Sequence, residues 1–208
     1  NAFKFYEANS VSDLNVAKSD LYVNGIFMTD DADSEFTFTD SVIYSRATSN
    51  GTDDKNQNAG ELTLVRSSLT YNAPFTNNGT LTIKDSLTGG KITAFAANPD
   101  TAAIPYYASN TITNCGVLTV KSGTIENSTS DDARAAFPID NNSTSQNAIV
   151  NIEGGTITGR GAIRQFANST SHKNEVNITG GTVIVDGYNI TDKKVDINKV
   201  RENVGMVF

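Results

Sequence analysis

Apolar and polar residues alternate with period two in short runs along the whole chain. The clearest runs are Val150-Asn151-Ile152-Glu153-Gly154-Gly155-Thr156-Ile157 and Val176-Asn177-Ile178-Thr179-Gly180-Gly181-Thr182-Val183. An earlier copy reads Leu118-Thr119-Val120-Lys121-Ser122-Gly123-Thr124-Ile125. The unit is an apolar-polar-apolar triplet, a spacer, a corner of small residues, then Thr and a β-branched residue. In a strand the outer members of the triplet share one face and the middle one takes the other. The pattern therefore predicts strands with Val150, Ile152, Val176 and Ile178 in a core and Asn151 and Asn177 facing out. The Gly-Gly and Ser-Gly corners suit a sharp turn, where positive φ strains other residues.

Weaker copies lie upstream at Leu14-Asn15-Val16, Phe36-Thr37-Phe38, Leu62-Thr63-Leu64 and Leu81-Thr82-Ile83, and Val195-Asp196-Ile197 is expected to close the series. Their corners are Lys18-Ser19, Asp40-Ser41, Arg66-Ser67 and Asp85-Ser86, although Gly89-Gly90 competes for the copy at Leu81. Apolar residues return after the corner at Leu21, Ile43 and Leu69. The triplets start 22, 26, 19, 37, 32, 26 and 19 residues apart. Self-similarity at such a period signals a solenoid, whose units bury their apolar faces against their neighbours. No stretch carries a 3.6-residue stripe, so the units are strands. Units advancing in one direction stack in parallel, and parallel sheets ordinarily need helices over both faces. A coil of three short sheets removes that need, with the core inside and the polar faces outside. The expectation is an all-β parallel β-helix of about eight turns over 14–197, with caps or attachment segments at 1–13 and 198–208. Its outward ladder should read Asn15, Thr37, Thr63, Thr82, Thr119, Asn151, Asn177, Asp196.

Residues Leu118 to Ile125, Val150 to Ile157 and Val176 to Val183, with Asn-rich turns between, resemble the right-handed parallel β-helices of the pectate-lyase-like superfamily. The resemblance runs from about Leu14 to Ile197 and rests on core and corner positions. It implies the architecture and a choice of roles: phage tailspikes and other virion appendages, bacterial surface adhesins, or polysaccharide lyases and hydrolases. Fold likeness by itself assigns no chemistry.

Composition narrows the choice. A net charge of −7 and a pI near 4.6 argue against nucleic acid and against an anionic membrane surface as partners. No apolar run approaches the roughly 18 residues of a membrane span. The single Cys115 excludes an internal disulfide and leaves the redox compartment open. The chain starts at Asn1 without a signal peptide, as expected of a processed product or an excerpt of a longer one. Asn-x-Ser/Thr sequons, Asn177 among them, are ascribed to an Asn- and Thr-rich composition rather than to glycosylation. An acidic turn at Asp30, Asp31 and Asp33 lacks calcium-loop spacing, so no metal and no cofactor is expected.

A second recurring strand is expected at Gly25-Ile26-Phe27, Ala73-Pro74-Phe75, Lys91 to Phe95, Ala135-Ala136-Phe137 and Ile163 to Phe166. Its Phe residues should stack inside, and Asp30, Asn77, Asn98, Asp140 and Asn168 should hold turns. The two long intervals place extra chain on neighbouring turns, where solenoids often build a binding face. There Tyr106 and Tyr107 can stack on sugar rings, with Asp131, Asp132, Arg134 and Arg160 as polar partners. Phe3, Phe5 and Tyr6 at one end, and Val204, Met206, Val207 and Phe208 at the other, are the candidate contacts to other subunits.

A polysaccharide-cleaving site needs paired carboxylates or a calcium site beside a base. Asp131-Asp132 is the adjacent pair beside a long interval, and His172 lies in a polar stretch without a matching partner, so no catalytic residue is assigned. The outward ladder is too varied for an ice-binding array. The sequence therefore points to a non-enzymatic structural or adhesive module of an extracellular assembly. A phage virion protein (tail appendage or capsid-decorating protein) with glycan binding stands first. A cell-surface adhesin and a polysaccharide-degrading enzyme are the alternatives. Expected partners are further subunits in a homo-oligomer and a surface glycan, with no nucleic acid and no membrane insertion.

Overall fold

The computed structural model describes residues 13–24, 28–29, 32–46, 56–71, 75–85, 91–94, 110–127, 137–159, 161, 163–166, 170–185 and 187–196. Among these the regular structure is entirely β, in three sheets, and no helix is long and apolar enough to cross a membrane. The first sheet joins, in order, β1 (Asp13–Ala17), β4 (Glu35–Thr39), β7 (Glu61–Val65), β10 (Thr80–Lys84), β13 (Val117–Val120), β16 (Ala148–Ile152) and β19 (Asn174–Ile178). The second joins β2 (Asp20–Asn24), β5 (Val42–Arg46), β8 (Ser68–Tyr71), β11 (Lys91–Ala94), β14 (Thr124–Asn127), β17 (Thr156–Gly159), β20 (Thr182–Val185) and β21 (Tyr188–Asn189). The third joins β3 (Met28–Thr29), β6 (Asn56–Asn58), β9 (Phe75–Asn77), β12 (Ile112–Asn114), β15 (Ile139–Asn141) and β18 (Ile163–Gln165). The chain thus returns to each sheet at every third strand, and the strands of each sheet pair in parallel until β21 reverses against β20.

The triplets set the register of the first sheet. Asn15, Thr37, Thr63, Thr82, Thr119, Asn151 and Asn177 stand in one row. A slip of one residue would turn every apolar side chain outward, so burial of one face holds that register. Phe36, Phe38, Leu62, Leu64, Leu81, Ile83, Leu118, Val120, Val150 and Ile152 are buried in a core shared with Ile43, Leu69, Ile125 and Ile157 of the second sheet and Phe75, Ile112 and Ile139 of the third.

The expected eighth triplet is not seen as a strand in its described part. Val195 and Asp196 lie in a bend and in irregular chain, Ile197 lies outside the described residues, and among the described residues β19 is the last strand of the first sheet. Instead the chain reverses after β20 through Gly187, at φ 82°, and β21 lies antiparallel on β20. Two core expectations also change at this end. Val176 is only partly buried and Ile178 is 47% exposed, and β19 is the last strand of its sheet among the described residues.

Two kinds of corner leave the first sheet. In the early copies Lys18, Asp40, Arg66 and Asp85 take positive φ of 46–59° and the next residue is Ser or lies in undescribed chain. The Ser41 and Ser67 hydroxyls accept from the N–H of Ser19 and Ser41 on the preceding copy, at 3.2 and 3.0 Å. Each hydroxyl donates in turn to a carbonyl two residues back. Left-handed backbone is costly for residues with a Cβ. The Arg66–Asp40 pair, at 2.6 and 3.0 Å, ties two of these corners together. Asp85 rather than Gly89-Gly90 is the corner of the Leu81 copy. In the later copies Gly123, Gly155 and Gly181 occupy the left-handed position.

Where the third sheet leads back to the first, a buried row of amides replaces apolar packing. Asn58 donates to Asn77, Asn77 to Asn114 and Asn114 to Asn141, each Nδ2–Oδ1 distance being 2.8 Å. The spare Nδ2 protons reach carbonyls such as those of Thr80, Val117, Ile149 and Glu175. The sequence signal is Asn-x-Gly, repeated at Asn58-Ala59-Gly60, Asn77-Asn78-Gly79 and Asn114-Cys115-Gly116, which lies outside the apolar-polar-apolar triplets. Glycine is required there, since a Cβ on Gly79 would lie 2.2 Å from the carbonyl oxygen of Gly60.

Candidate functional site

Tyr106, Tyr107, Asp131, Asp132, Arg134 and Arg160 lie outside the described residues, as do Phe3, Phe5, Tyr6, Val204, Met206, Val207 and Phe208. The structure does describe the chain into which the segments 95–109 and 128–136 run. There, on β12, β15 and β18, Thr113, Asp140 and Arg164 stand in one row. They alternate with Ile112, Ile139 and Ile163 on one side and with Asn114, Asn141 and Gln165 on the other, which puts the row on the face opposite the core.

Asp140 is the unusual member of that row, a carboxylate only 3% exposed. Burying a charge is tolerated where it is paired and hydrogen-bonded. Arg164 donates to both carboxylate oxygens, Nε to Oδ1 at 2.8 Å and Nη2 to Oδ2 at 2.6 Å. Asn110 Nδ2 donates to Oδ2 at 2.8 Å, while its Oδ1 accepts the Phe137 N–H at 3.0 Å. The Arg164 guanidinium also lies 5.1 Å from the ring centres of both Phe137 and Phe166. The hydrogen bond to Asp140 raises the guanidinium pKa further, with burial opposing and the carboxylate charge assisting.

This overturns part of the second-strand expectation. Phe75 is buried and stacks on Tyr71 at 5.6 Å, but Phe137 is half-buried and Phe166 is 43% exposed, both beside Arg164 rather than in the core. Lys91–Ala94 belongs to the second sheet, and Asn77 and Asp140 lie in strands, not turns. Gly25, Ile26, Phe27, Asn98 and Asn168 lie outside the described residues. The pair Asp140–Arg164 escaped the sequence reading because the two are 24 residues apart and meet only through the register.

Other polar groups of the described residues carry partners of their own. Tyr71 is fully buried and its hydroxyl donates to the Thr111 carbonyl, and burial pushes its pKa well up. The Cys115 thiol donates to the Asn142 carbonyl at 3.0 Å, and burial, followed by the charge of Asp140, pushes its pKa up. A protonated thiol is a poor nucleophile. His172 is half-buried with Ser171 Oγ 3.3 Å from Nδ1. Asp33 is exposed while Asp30 and Asp31 lie outside the described residues, among which no group of three His, Cys, Asp or Glu is placed to hold a metal ion. Chemically, Asp140 accepts three hydrogen bonds, and the Arg164 side chain, paired to both carboxylate oxygens, stays 39% exposed. The arrangement fixes the chain on either side of the long segments and presents a braced cation between two aromatic rings. Comparison with family models, curated proteins and solved structures found no match.

Proposed function

We propose that the chain is a right-handed parallel β-helix of the pectate-lyase-like kind that serves as a structural and adhesive module of an extracellular assembly, a phage virion protein before a cell-surface adhesin. The observation that carries this reading is how its polar residues are used. The buried Asn58–Asn77–Asn114–Asn141 row, the Ser41–Ser67 corner row and the Asp140–Arg164 clamp all bind one copy of the repeat to the next. Satisfied buried networks of this kind stiffen a structure and specify a single packing. A stiff scaffold whose long segments run into neighbouring strands of one sheet, β12 and β15, suits display and attachment. Glycan contact is assigned to Tyr106, Tyr107, Asp131, Asp132, Arg134 and Arg160, which flank the Arg164 clamp in sequence. Immunogold labelling with an antibody to the chain, on source cells and the particles they release, tests the role. Label on virions is expected, label on the cell surface transfers the role to an adhesin, and label confined to the cell interior overturns both.

A further inference from the structure

We infer that the outer face of the third sheet binds a neutral glycan, with a sugar ring laid on Phe166 and a hydroxyl held by Arg164. The inference rests on the glycan-binding part of the reading above and not on the virion role, and it names the anchoring side chains and the class of sugar. The guanidinium supplies the directional contact. Its Nε and Nη2 donate to Asp140, while Nη1 makes no hydrogen bond among the described residues. That amino group has two protons to offer, and the side chain is 39% exposed. Its position is set in advance, because Asp140 is only 3% exposed and is itself fixed by Asn110. A donor already held in place loses little side-chain freedom on binding. The Phe166 ring, 43% exposed, has its centre 5.1 Å from the same guanidinium carbon. An exposed ring beside an unused donor matches the two sides of a sugar, an apolar C–H face and hydroxyls that accept hydrogen bonds.

Charge selects the class of sugar. Asp140 cancels the Arg164 charge within the clamp, and the row that leads to it across the sheet consists of Gln57, Thr76 and Thr113. These three alternate with the buried Asn58, Asn77 and Asn114, which turns them outward, and each is partly exposed. Their side chains make no hydrogen bond among the described residues, so amide and hydroxyl groups stand ready for sugar hydroxyls. At the usual strand spacing the row from Gln57 to Arg164 is about 19 Å long, enough for a short oligosaccharide. It carries no net charge. The first sheet, by contrast, sets Asp13, Glu35 and Glu61 side by side in one exposed row, and the chain as a whole carries −7. An acidic sugar would be repelled by that field and would find no uncompensated cation in the row, whereas a neutral one needs only the ring and the donors.

Native affinity electrophoresis through gels holding dextran, laminarin or galactomannan, with polygalacturonate and chondroitin sulfate as the acidic counterparts, reads the binding. At least one neutral polysaccharide should retard the chain and the acidic ones should not. Phe166→Leu keeps an apolar side chain and removes the flat ring. It should raise the dissociation constant about tenfold or more, with the far-UV spectrum and thermal midpoint unchanged. Arg164→Lys keeps the charge beside Asp140 and removes Nη1, and should weaken binding by a similar factor. Should that variant not fold, the ring substitution decides alone. Tyr22→Ser, which removes another exposed ring on β2 of the second sheet, should bind as the native chain does. Retardation by a neutral polysaccharide that Phe166→Leu leaves unchanged would overturn the inference and leave glycan binding in place. Retardation in the acidic gels alone would overturn the neutral class. A chain retarded in no gel would overturn both this inference and the glycan-binding reading beneath it.

Discussion

Replacing Asn114 by Ala tests whether the buried amide row is a structural spine. In the native chain Asn114 Nδ2 donates to Asn141 Oδ1 at 2.8 Å, to the Gly116 carbonyl at 3.0 Å and to the Ile149 carbonyl at 3.2 Å. Its Oδ1 accepts from Asn77 Nδ2, which retains the Val117 carbonyl at 3.0 Å. Truncation therefore removes the donor from three acceptors in a site with no exposed surface. Each orphaned buried polar group costs about 1–3 kcal/mol, and some of these carbonyls keep a second partner, so a loss of about 3–5 kcal/mol is expected. Asn177 supplies the control: it makes the same kind of amide contact, to Asn151 at 3.1 Å, but in solvent. There Asn177→Ala should cost about 0.5 kcal/mol or less. Urea unfolding with a shared m value reads both. Asn114→Asp sharpens the test, because it keeps the shape but turns the row's donor into an acceptor facing three oxygens. Its folded pKa must rise above the unfolded value of about 3.9. Such a variant is least destabilised below that pH and loses stability as pH rises through it. Equal costs at Asn114 and Asn177, or an Asn114→Asp deficit that shrinks toward neutral pH, would refute the reasoning.

Three further outcomes are expected. Ile152→Ala should cost about 2–5 kcal/mol, and Ile178→Ala well under about 1 kcal/mol, by denaturant unfolding. The Arg66 hydrogen bond holds the Asp40 carboxyl below the ordinary range, helped by the charges of Arg66 and Lys18 against some desolvation. Stability linked to a depressed carboxylate is present above its unfolded pKa and lost as pH falls through the folded one. The gap in thermal midpoint between the native chain and Arg66→Gln should thus hold from neutral to about pH 4 and close below it. A gap that widens in acid would contradict the pairing. Because burial and Asp140 raise the Cys115 pKa, iodoacetamide should modify the thiol more slowly in the native chain than in denaturant, and equal rates would show it open to solvent.

The triplets alone were enough to read the first sheet. Seven of eight positions of the outward ladder align, because period-two alternation with one buried face admits a single register. The corners at Lys18, Asp40, Arg66 and Asp85 were legible too, since Ser after a polar residue repeats with the triplets. The third sheet was not legible from alternation. Its strands are two or three residues long, too short to show a period, and its inward rows are half Asn. Only stacking reveals that Asn58, Asn77, Asn114 and Asn141 are one hydrogen-bonded row, since each amide finds its partner a full repeat away. The same holds for Asp140 and Arg164, whose charges meet through register rather than proximity in the chain. The termination of the first sheet was likewise decided in three dimensions. Val195-Asp196 carries the apolar-polar start of a triplet, yet the reversal at Gly187 lays β21 against β20, and among the described residues no strand follows β19 in the first sheet and Ile178 is 47% exposed. Local pattern specifies which face of a strand is buried, but whether another strand lies on top depends on where the chain goes next.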